Sequence, residues 1–269
     1  MPELPEIASR ARQMNAELPG KVICNVEVVQ PKCLNLSVEE FKTAVCGSAI
    51  REVTYRGKWL FIHLNHGWLL LNLGMGGEIL LLTRSSLPEK YRLIFDFEDG
   101  SCLAVNFWWF GYAHFVPEEQ LSEHEMTRKL GPNALDLNVT ELKRILAGKS
   151  GRLKSLLLDQ SKIAGIGNAY IHDILFLARL HPQRPINSLS DEEIERLAEA
   201  IQLGLRPSLE KNGAFYELDL HGWRGSFTME DILIGYKEGK PCPRCQTSIQ
   251  KIKTGSTSSF ICPVCQPLI

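Results

Sequence analysis

Four cysteines near the C-terminus constrain the fold of this chain more than any other feature. Cys242 and Cys245 form one C-x2-C pair and Cys262 and Cys265 another, with sixteen residues between the pairs. Two matched pairs fit a tetrahedral site for one structural zinc ion, and a site with four thiolate ligands leaves no position open for chemistry. The intervening residues must then double back as a hairpin, with the polar run 253–259 at its tip. Two disulfides or a redox C-x-x-C are the alternatives, and the matched pairs weigh against both. Of the eight cysteines, Cys24, Cys33, Cys46 and Cys102 have no paired spacing and read as buried free thiols.

Ahead of that hairpin the pattern predicts an α+β multidomain protein. Leu4, Ile7, Ala11, Met14 and Leu18 recur at helical steps, giving an amphipathic helix over 3–18 that Pro19-Gly20 ends. Strand-like segments follow at 22–29, 49–55, 59–64, 67–73, 78–82, 91–97 and 101–106, and many short strands at close intervals predict a sandwich or barrel. Asn65-His66-Gly67 and Asp99-Gly100 supply turn chemistry between them. From Pro117 onward the pattern turns helical, with helices expected at 118–129, 139–147, 151–159, 168–179 and 190–205. The last opens on the capping box Ser190-x-x-Glu193 and is limited by Pro207. Glycines and aromatics over 210–236 read as loop. The expected domains are 1–130, 131–236 and 237–269.

At 269 residues the chain is long enough for two domains with cores of their own. Hydrophobic content of 44% and charged content of 23% are ordinary for a soluble globular protein. No run approaches the roughly 18 apolar residues of a membrane span, and the N-terminus has no signal-peptide pattern, so a cytoplasmic protein without a membrane partner is expected. The net charge of −1 argues mildly against a nucleic-acid binder, but its distribution matters more. Lys237, Lys240, Arg244, Lys251 and Lys253 stand against only Glu238 over 237–253, a candidate phosphate-contacting surface. The acidic run at 190–199 reads as a solvated helix face.

Met1-Pro2-Glu3 carries the chemistry. Removal of Met1 would expose a secondary amine, and an α-amino group titrates near about 8, so part of it is nucleophilic at neutral pH. A proline amine that attacks a sugar C1′ gives an iminium directly, and Glu3 beside it suits acid/base work. The ordinary alternative is that Pro2 and Pro5 simply start a helix.

Met1-Pro2-Glu3-Leu4-Pro5-Glu6, Arg56-Gly57-Lys58-Trp59-Leu60, Leu73-Gly74-Met75, Leu157-Leu158-Asp159-Gln160 with Ala164-Gly165-Ile166-Gly167-Asn168, and the closing cysteines occur in one order. Together they resemble the formamidopyrimidine-DNA glycosylase and endonuclease VIII family of base-excision repair enzymes, from Met1 to nearly the last residue. The resemblance implies an N-terminal helix with a β-sandwich, a helix-two-turn-helix domain and a zinc-ribbon hairpin. It implies a monomer that binds double-stranded DNA containing a damaged base or an abasic site, and that combines glycosylase and abasic-site lyase activities. Pro2 would be the nucleophile, Glu3 the acid/base and Lys58 a phosphate contact and proton donor. Met75 and Phe110 would fill the void left by the flipped nucleotide. Asn168, which also reads as a helix N-cap, would contact phosphate, with Lys154 a weaker candidate.

The chain also departs from the family pattern. Asn72 stands where histidine is common, and Asn106-Phe107-Trp108-Trp109-Phe110-Gly111 replaces Asp-Pro-Arg-Arg-Phe-Gly, removing the arginine that reads the base opposite the lesion. Tryptophan stacks but makes no bidentate hydrogen bonds to a base edge. Thr257 occupies the place of the zinc hairpin's phosphate-gripping arginine, which leaves strand cleavage to stop after β-elimination, or a cation such as Lys253 to substitute. Residues 212–228 contain no recognisable lesion-capping sequence. The loss of both arginines keeps a second expectation open, a damage-binding protein of the same fold without base excision.

Overall fold

The computed structural model describes residues 1–268. The chain divides into two compact units, Met1–Lys129 together with Lys211–Ser226, and Leu130–Glu210 together with the residues from Phe227 onward.

The first unit opens with α1 (Leu4–Glu17) and continues through β1 (Ile23–Val28), α2 (Val38–Val45), β2 (Glu52–Arg56), β3 (Trp59–Leu64), β4 (Gly67–Asn72), β5 (Glu78–Thr83), β6 (Leu93–Phe97), β7 (Ser101–Asn106) and β8 (Tyr112–Pro117). Two four-stranded antiparallel sheets result, in the orders β1-β6-β7-β5 and β2-β3-β4-β8. Alternation decides their inner faces. Leu60 pairs with Leu71 and Ile62 with Leu69 across β3 and β4, and all four are buried in a core shared with Phe95, Leu103 and Val105 of the other sheet. The structure is therefore the sandwich, not the barrel.

The apolar stripe of α1, Ile7, Ala11, Met14 and Leu18, enters the same core. Glu6, Ser9 and Arg10 of α1 are buried as well, because residues 211–226 lie along the helix. Gln13 Nε2 donates to Asp219 Oδ2 at 3.1 Å, and Gln13 Oε1 accepts from the Leu220 amide at 3.1 Å. The Leu81 amide of β5 donates to the Leu220 carbonyl at 2.9 Å, and the fully buried Leu220 side chain joins the core. Loss of that side chain would cost about 2–4 kcal/mol.

The second unit contains α3 (Val139–Leu146), α4 (Leu153–Leu158), α5 (Ile171–Leu177) and α6 (Asp191–Glu210), followed by the hairpin β9 (Gln250–Thr254) and β10 (Thr257–Ile261). α5 lies close against α6, where a Cβ at Gly204 would come within 2.6 Å of Ile174 Cγ1. Phe176 of α5 reaches the cluster of Ile234, Cys242, Ile249, Phe260 and Cys262 that fixes the hairpin.

Several sequence-based expectations are corrected. Residues 118–129 form only a short 3-10 helix at Glu118–Glu123. His124 instead bonds His114 at 2.9 Å and Thr127 Oγ1 at 2.8 Å, drawing the chain onto β8. β8 and α2 were not anticipated. α6 continues past Pro207 to Glu210, because proline frees the carbonyl four residues back, and Leu203 there is on the exposed face. The Ser190–Glu193 capping box is present, with the Glu193 amide on Ser190 Oγ at 3.3 Å and the Ser190 amide on Glu193 Oε2 at 3.0 Å.

Candidate active site and metal centre

Pro2 is buried and Glu3 is the N-cap of α1. The Glu3 amide donates to Glu6 Oε2 at 2.9 Å, which orients the first turn, and Glu6 Oε1 accepts the Ala214 amide at 3.2 Å. Glu6 therefore ties the N-terminus to the 211–226 segment. Glu3 and Glu6 are 5% and 3% exposed, and Glu217 of that segment is 8% exposed, so three carboxyl groups are withdrawn from water around Pro2. Arg10 is buried among them, and burial lowers its pKa against the opposing pull of Asp219, Glu217 and Glu6. Burial, then the Glu6 carboxylate, pushes Glu217 up to about 7, while the N-terminal amine and Arg10 pull the other way. Met1, by contrast, is 46% exposed.

Lys58 is half-buried at the turn between β2 and β3. Asn72 links it to the next loop, because Asn72 Nδ2 donates to the Lys58 carbonyl at 3.1 Å and Asn72 Oδ1 accepts the Gly74 amide at 3.0 Å. Met75, Trp108, Trp109 and Phe110 are all strongly exposed, between 49% and 69%. Two loops carry them and are locked to each other. The Met75 amide donates to the Trp109 carbonyl at 2.9 Å, and the Trp108 amide donates to the Met75 carbonyl at 3.0 Å. Gly74, in the left-handed region at φ +55°, permits this contact, since a Cβ there would collide with the Trp109 carbonyl oxygen. Phe110 itself sits at φ +57°, a strained value for an aromatic residue. An outward-facing apolar wedge is thus held rigidly by backbone.

In the second unit Asn168 is not a helix cap, since Tyr170 is the N-cap of α5. Gln160 sets the turn before it, with Nε2 on the Ile166 carbonyl at 2.9 Å and Oε1 on the Gly165 amide at 2.8 Å. Asn168 Oδ1 is buried with no hydrogen-bond partner among the described residues.

Lys154 is 4% exposed and points under the hairpin tip. Its Nζ donates to Thr254 Oγ1 at 3.2 Å, Thr257 Oγ1 at 3.1 Å, the Ser258 carbonyl at 2.8 Å and Ser259 Oγ at 2.8 Å. Burial lowers its pKa to about 8. A cavity of about 420 Å³ opens beside it, lined by Arg152, Ser155, Gln183, Ser256 and Thr257 among others. Lys253 is exposed on β9, opposite Ser258.

The four cysteine Sγ atoms of the hairpin lie within 4.8 Å of one another. Cys245 and Cys262 are 3.4 Å apart and Cys242 and Cys265 3.9 Å. A zinc ion at about 2.3 Å from each thiolate sets tetrahedral edges of about 3.8 Å, so the residues present fit it. The two knuckles match. The Gln246 amide bonds the Cys242 carbonyl and the Gln266 amide the Cys262 carbonyl, both at 2.9 Å. The Arg244 amide points at Cys242 Sγ and the Cys265 amide at Cys262 Sγ, both at 3.4 Å.

Three family models cover most of the sequence: the formamidopyrimidine-DNA glycosylase N-terminal domain over residues 1–106, the formamidopyrimidine-DNA glycosylase H2TH domain over 130–218, and the zinc finger found in FPG and IleRS over 239–268. The chain belongs to the formamidopyrimidine-DNA glycosylase family. It is 36% identical to the formamidopyrimidine-DNA glycosylase of Pelotomaculum thermopropionicum and 33% identical to that of Streptococcus mutans, over 99% of both chains in each case. Its backbone resembles the Lactococcus lactis Fpg in complex with abasic-site DNA, with a TM-score of 0.90, 27% identity and coverage of 98% of this chain and 99% of that one. It resembles the same organism's enzyme with DNA containing N7-benzyl-Fapy-dG at a TM-score of 0.90 and 28% identity, over 99% of this chain and 100% of that one.

This member of the family has features at the site that its sequence did not announce. Glu6 and Arg10 stand on the same helix as Glu3, whereas Glu217 reaches this region only through tertiary contacts. The Glu3-x-x-Glu6 spacing was a legible capping box; nothing local marked Glu217.

Proposed function

We propose that the protein is a bifunctional DNA glycosylase and abasic-site lyase of base-excision repair, acting inside the cell on double-stranded DNA. The observation that carries this reading is the burial of Pro2, Glu3 and Glu6 together at the head of α1. With Met1 removed, the Pro2 nitrogen attacks C1′, the C1′–base bond breaks, and the opening of the sugar ring leaves an iminium. Glu3 takes up and returns the protons of these steps. The Pro2 iminium acidifies C2′, so loss of a C2′ proton expels the 3′ phosphate and cuts the strand.

The locked wedge of Met75 and Phe110 fills the gap in the duplex, repaying part of the few kcal/mol that extrusion of a base costs. Lys58 contacts the backbone phosphate beside the nucleophile. In the second unit Asn168, Lys253 and the hairpin tip contact phosphates, with Lys154 charging the tip from beneath in place of the missing arginine. Zinc, held by Cys242, Cys245, Cys262 and Cys265, shapes the hairpin and takes no part in the chemistry.

The test is a single-turnover assay on duplexes carrying Fapy-dG, using protein with a free Pro2 amine. Base release followed by strand cleavage is expected. Salt-sensitive binding without release of any base from a panel of damaged duplexes would favour a damage-binding protein, the reading to which Thr257 and Trp108 lend weight.

A further inference from the structure

Glu217 is 8% exposed, and the charges that act on its carboxyl come from Glu6, Arg10, Glu78 and the amine of Met1. Its position is fixed. The Glu217 amide donates to the Ala214 carbonyl at 2.9 Å and its carbonyl accepts the Gly225 amide at 3.1 Å, while Ala214 is held by Glu6. Gly225 packs directly on the Gly213 carbonyl, where no side chain fits. Bonds from Gln13 and Leu81 anchor the far end of the segment. Of the groups acting on the carboxyl, Glu6 and Arg10 come from α1, Glu78 from the start of β5, and the amine from Met1, the residue that precedes Pro2.

Withdrawing a carboxyl from water costs stability, and a glutamine or leucine would fill the space more cheaply. Its orientation toward the N-terminus gives it a use. We propose that Glu217 is the general acid of base release, giving its proton to the departing base as Pro2 attacks the sugar. This rests on the glycosylase reading above. The Pro2 lone pair forms the N–C1′ bond, the electron pair of the C1′–base bond leaves with the base, and the base takes the Glu217 proton. The proton on the Pro2 nitrogen passes to the Glu3 carboxylate. The Pro2 adduct is neutral once Glu3 holds that proton, and the Glu217 carboxylate that results stabilises the Pro2 iminium cation that forms when the sugar ring opens. Burial and the neighbouring Glu6 hold Glu217 near a pKa of about 7, so the acid form is available at neutral pH.

The substitution Glu217→Gln keeps the size of the side chain and removes the transferable proton. On Fapy-dG duplex, single-turnover base release is expected to fall by about 100-fold. Borohydride trapping on abasic-site duplex, which has no base to protonate, is expected to stay within about threefold, showing that the variant folds and engages DNA. In the parent protein, base release should decline above pH 7 while trapping does not decline in parallel, and this selective decline should be missing from the variant. Parental base release by Glu217→Gln overturns the proposal. So does a base-release profile in the parent that follows trapping across pH 6–9, a result that needs no variant. Failure of the parent, with its free Pro2, to trap abasic DNA overturns the glycosylase reading itself.

Discussion

The surroundings of Pro2 and the tip of the zinc hairpin solve opposite electrostatic problems. Near the N-terminus Glu3, Glu6 and Glu217 are buried together with one arginine, Arg10, and burial raises Glu217 to about 7. At the hairpin tip one ammonium is buried among four neutral oxygens, and burial lowers Lys154 to about 8. The same desolvation moves an acid up and a base down until both titrate close to neutrality. The acidic region retains the residues that the family resemblance assigns to chemistry. The hairpin tip has Thr257 where the family resemblance expects arginine, with Lys154 buried beneath it and Lys253 exposed beside it.

The largest test of that contrast is at the N-terminus. Pro2→Gly or a blocked amine should reduce base release on damaged duplex by at least about 1000-fold while leaving salt-sensitive binding in place. Removal of zinc by a chelator, or Cys262→Ser, should release the metal, disorder residues 240–266 in a heteronuclear NMR spectrum, and weaken DNA binding by about 100-fold. Signals from α1 and β3 should persist, since their core is built from residues of the first unit.

Lys154→Met should cost about tenfold in DNA affinity and reduce the slope of log affinity against log salt by about one. In the parent, affinity should fall as pH rises through 8. Fold stability should not fall with it. The folded amine titrates near 8 and the unfolded one at 10.5, so the burial penalty is fully present below 8 and is relieved between these values. Glu217 has the opposite sign. Its pKa is raised from 4.5 to about 7 on folding, so it disfavours folding increasingly from pH 4.5 upward and fully above 7. Glu217→Gln should accordingly raise the melting temperature more at pH 8 than at pH 5.

The smallest effect is expected at the wedge. With Trp108 and Trp109 in place of arginines, discrimination among the four bases opposite the lesion should stay within about threefold, because stacking accepts any base and bidentate pairing does not. A preference of tenfold or more for one opposite base would show that another group reads its edge.

What was legible in the sequence follows from how local its causes are. The paired knuckles, α1 and the strands β3, β4 and β7 are set by spacing and alternation within a few residues of themselves. The helix α2 also has a local cause, for Ser37 and Glu40 form a complete capping box, with the Glu40 amide on Ser37 Oγ at 3.3 Å and the Ser37 amide on Glu40 Oε2 at 3.0 Å. Asn168 reads as a cap because the glycines before it suggest a helix start, yet Gln160 bonds Gly165 and Ile166 to hold a turn there, and α5 starts only at Ile171. Glu217 was invisible for a stronger reason. Its burial depends on Glu6 binding Ala214 across 208 residues of chain and on Gln13 binding Leu220 across 207, and no local pattern encodes such a pairing.

The central claim is that the Pro2 nitrogen forms the covalent bond to DNA. Reduction of the protein–DNA intermediate with borohydride on abasic-site duplex, followed by proteolysis and mass spectrometry, locates that bond directly. The account predicts a single modified peptide beginning at Pro2, carrying the reduced sugar on its N-terminal nitrogen. A modification on Lys58 or any other lysine, with the Pro2 peptide unaltered, would contradict it.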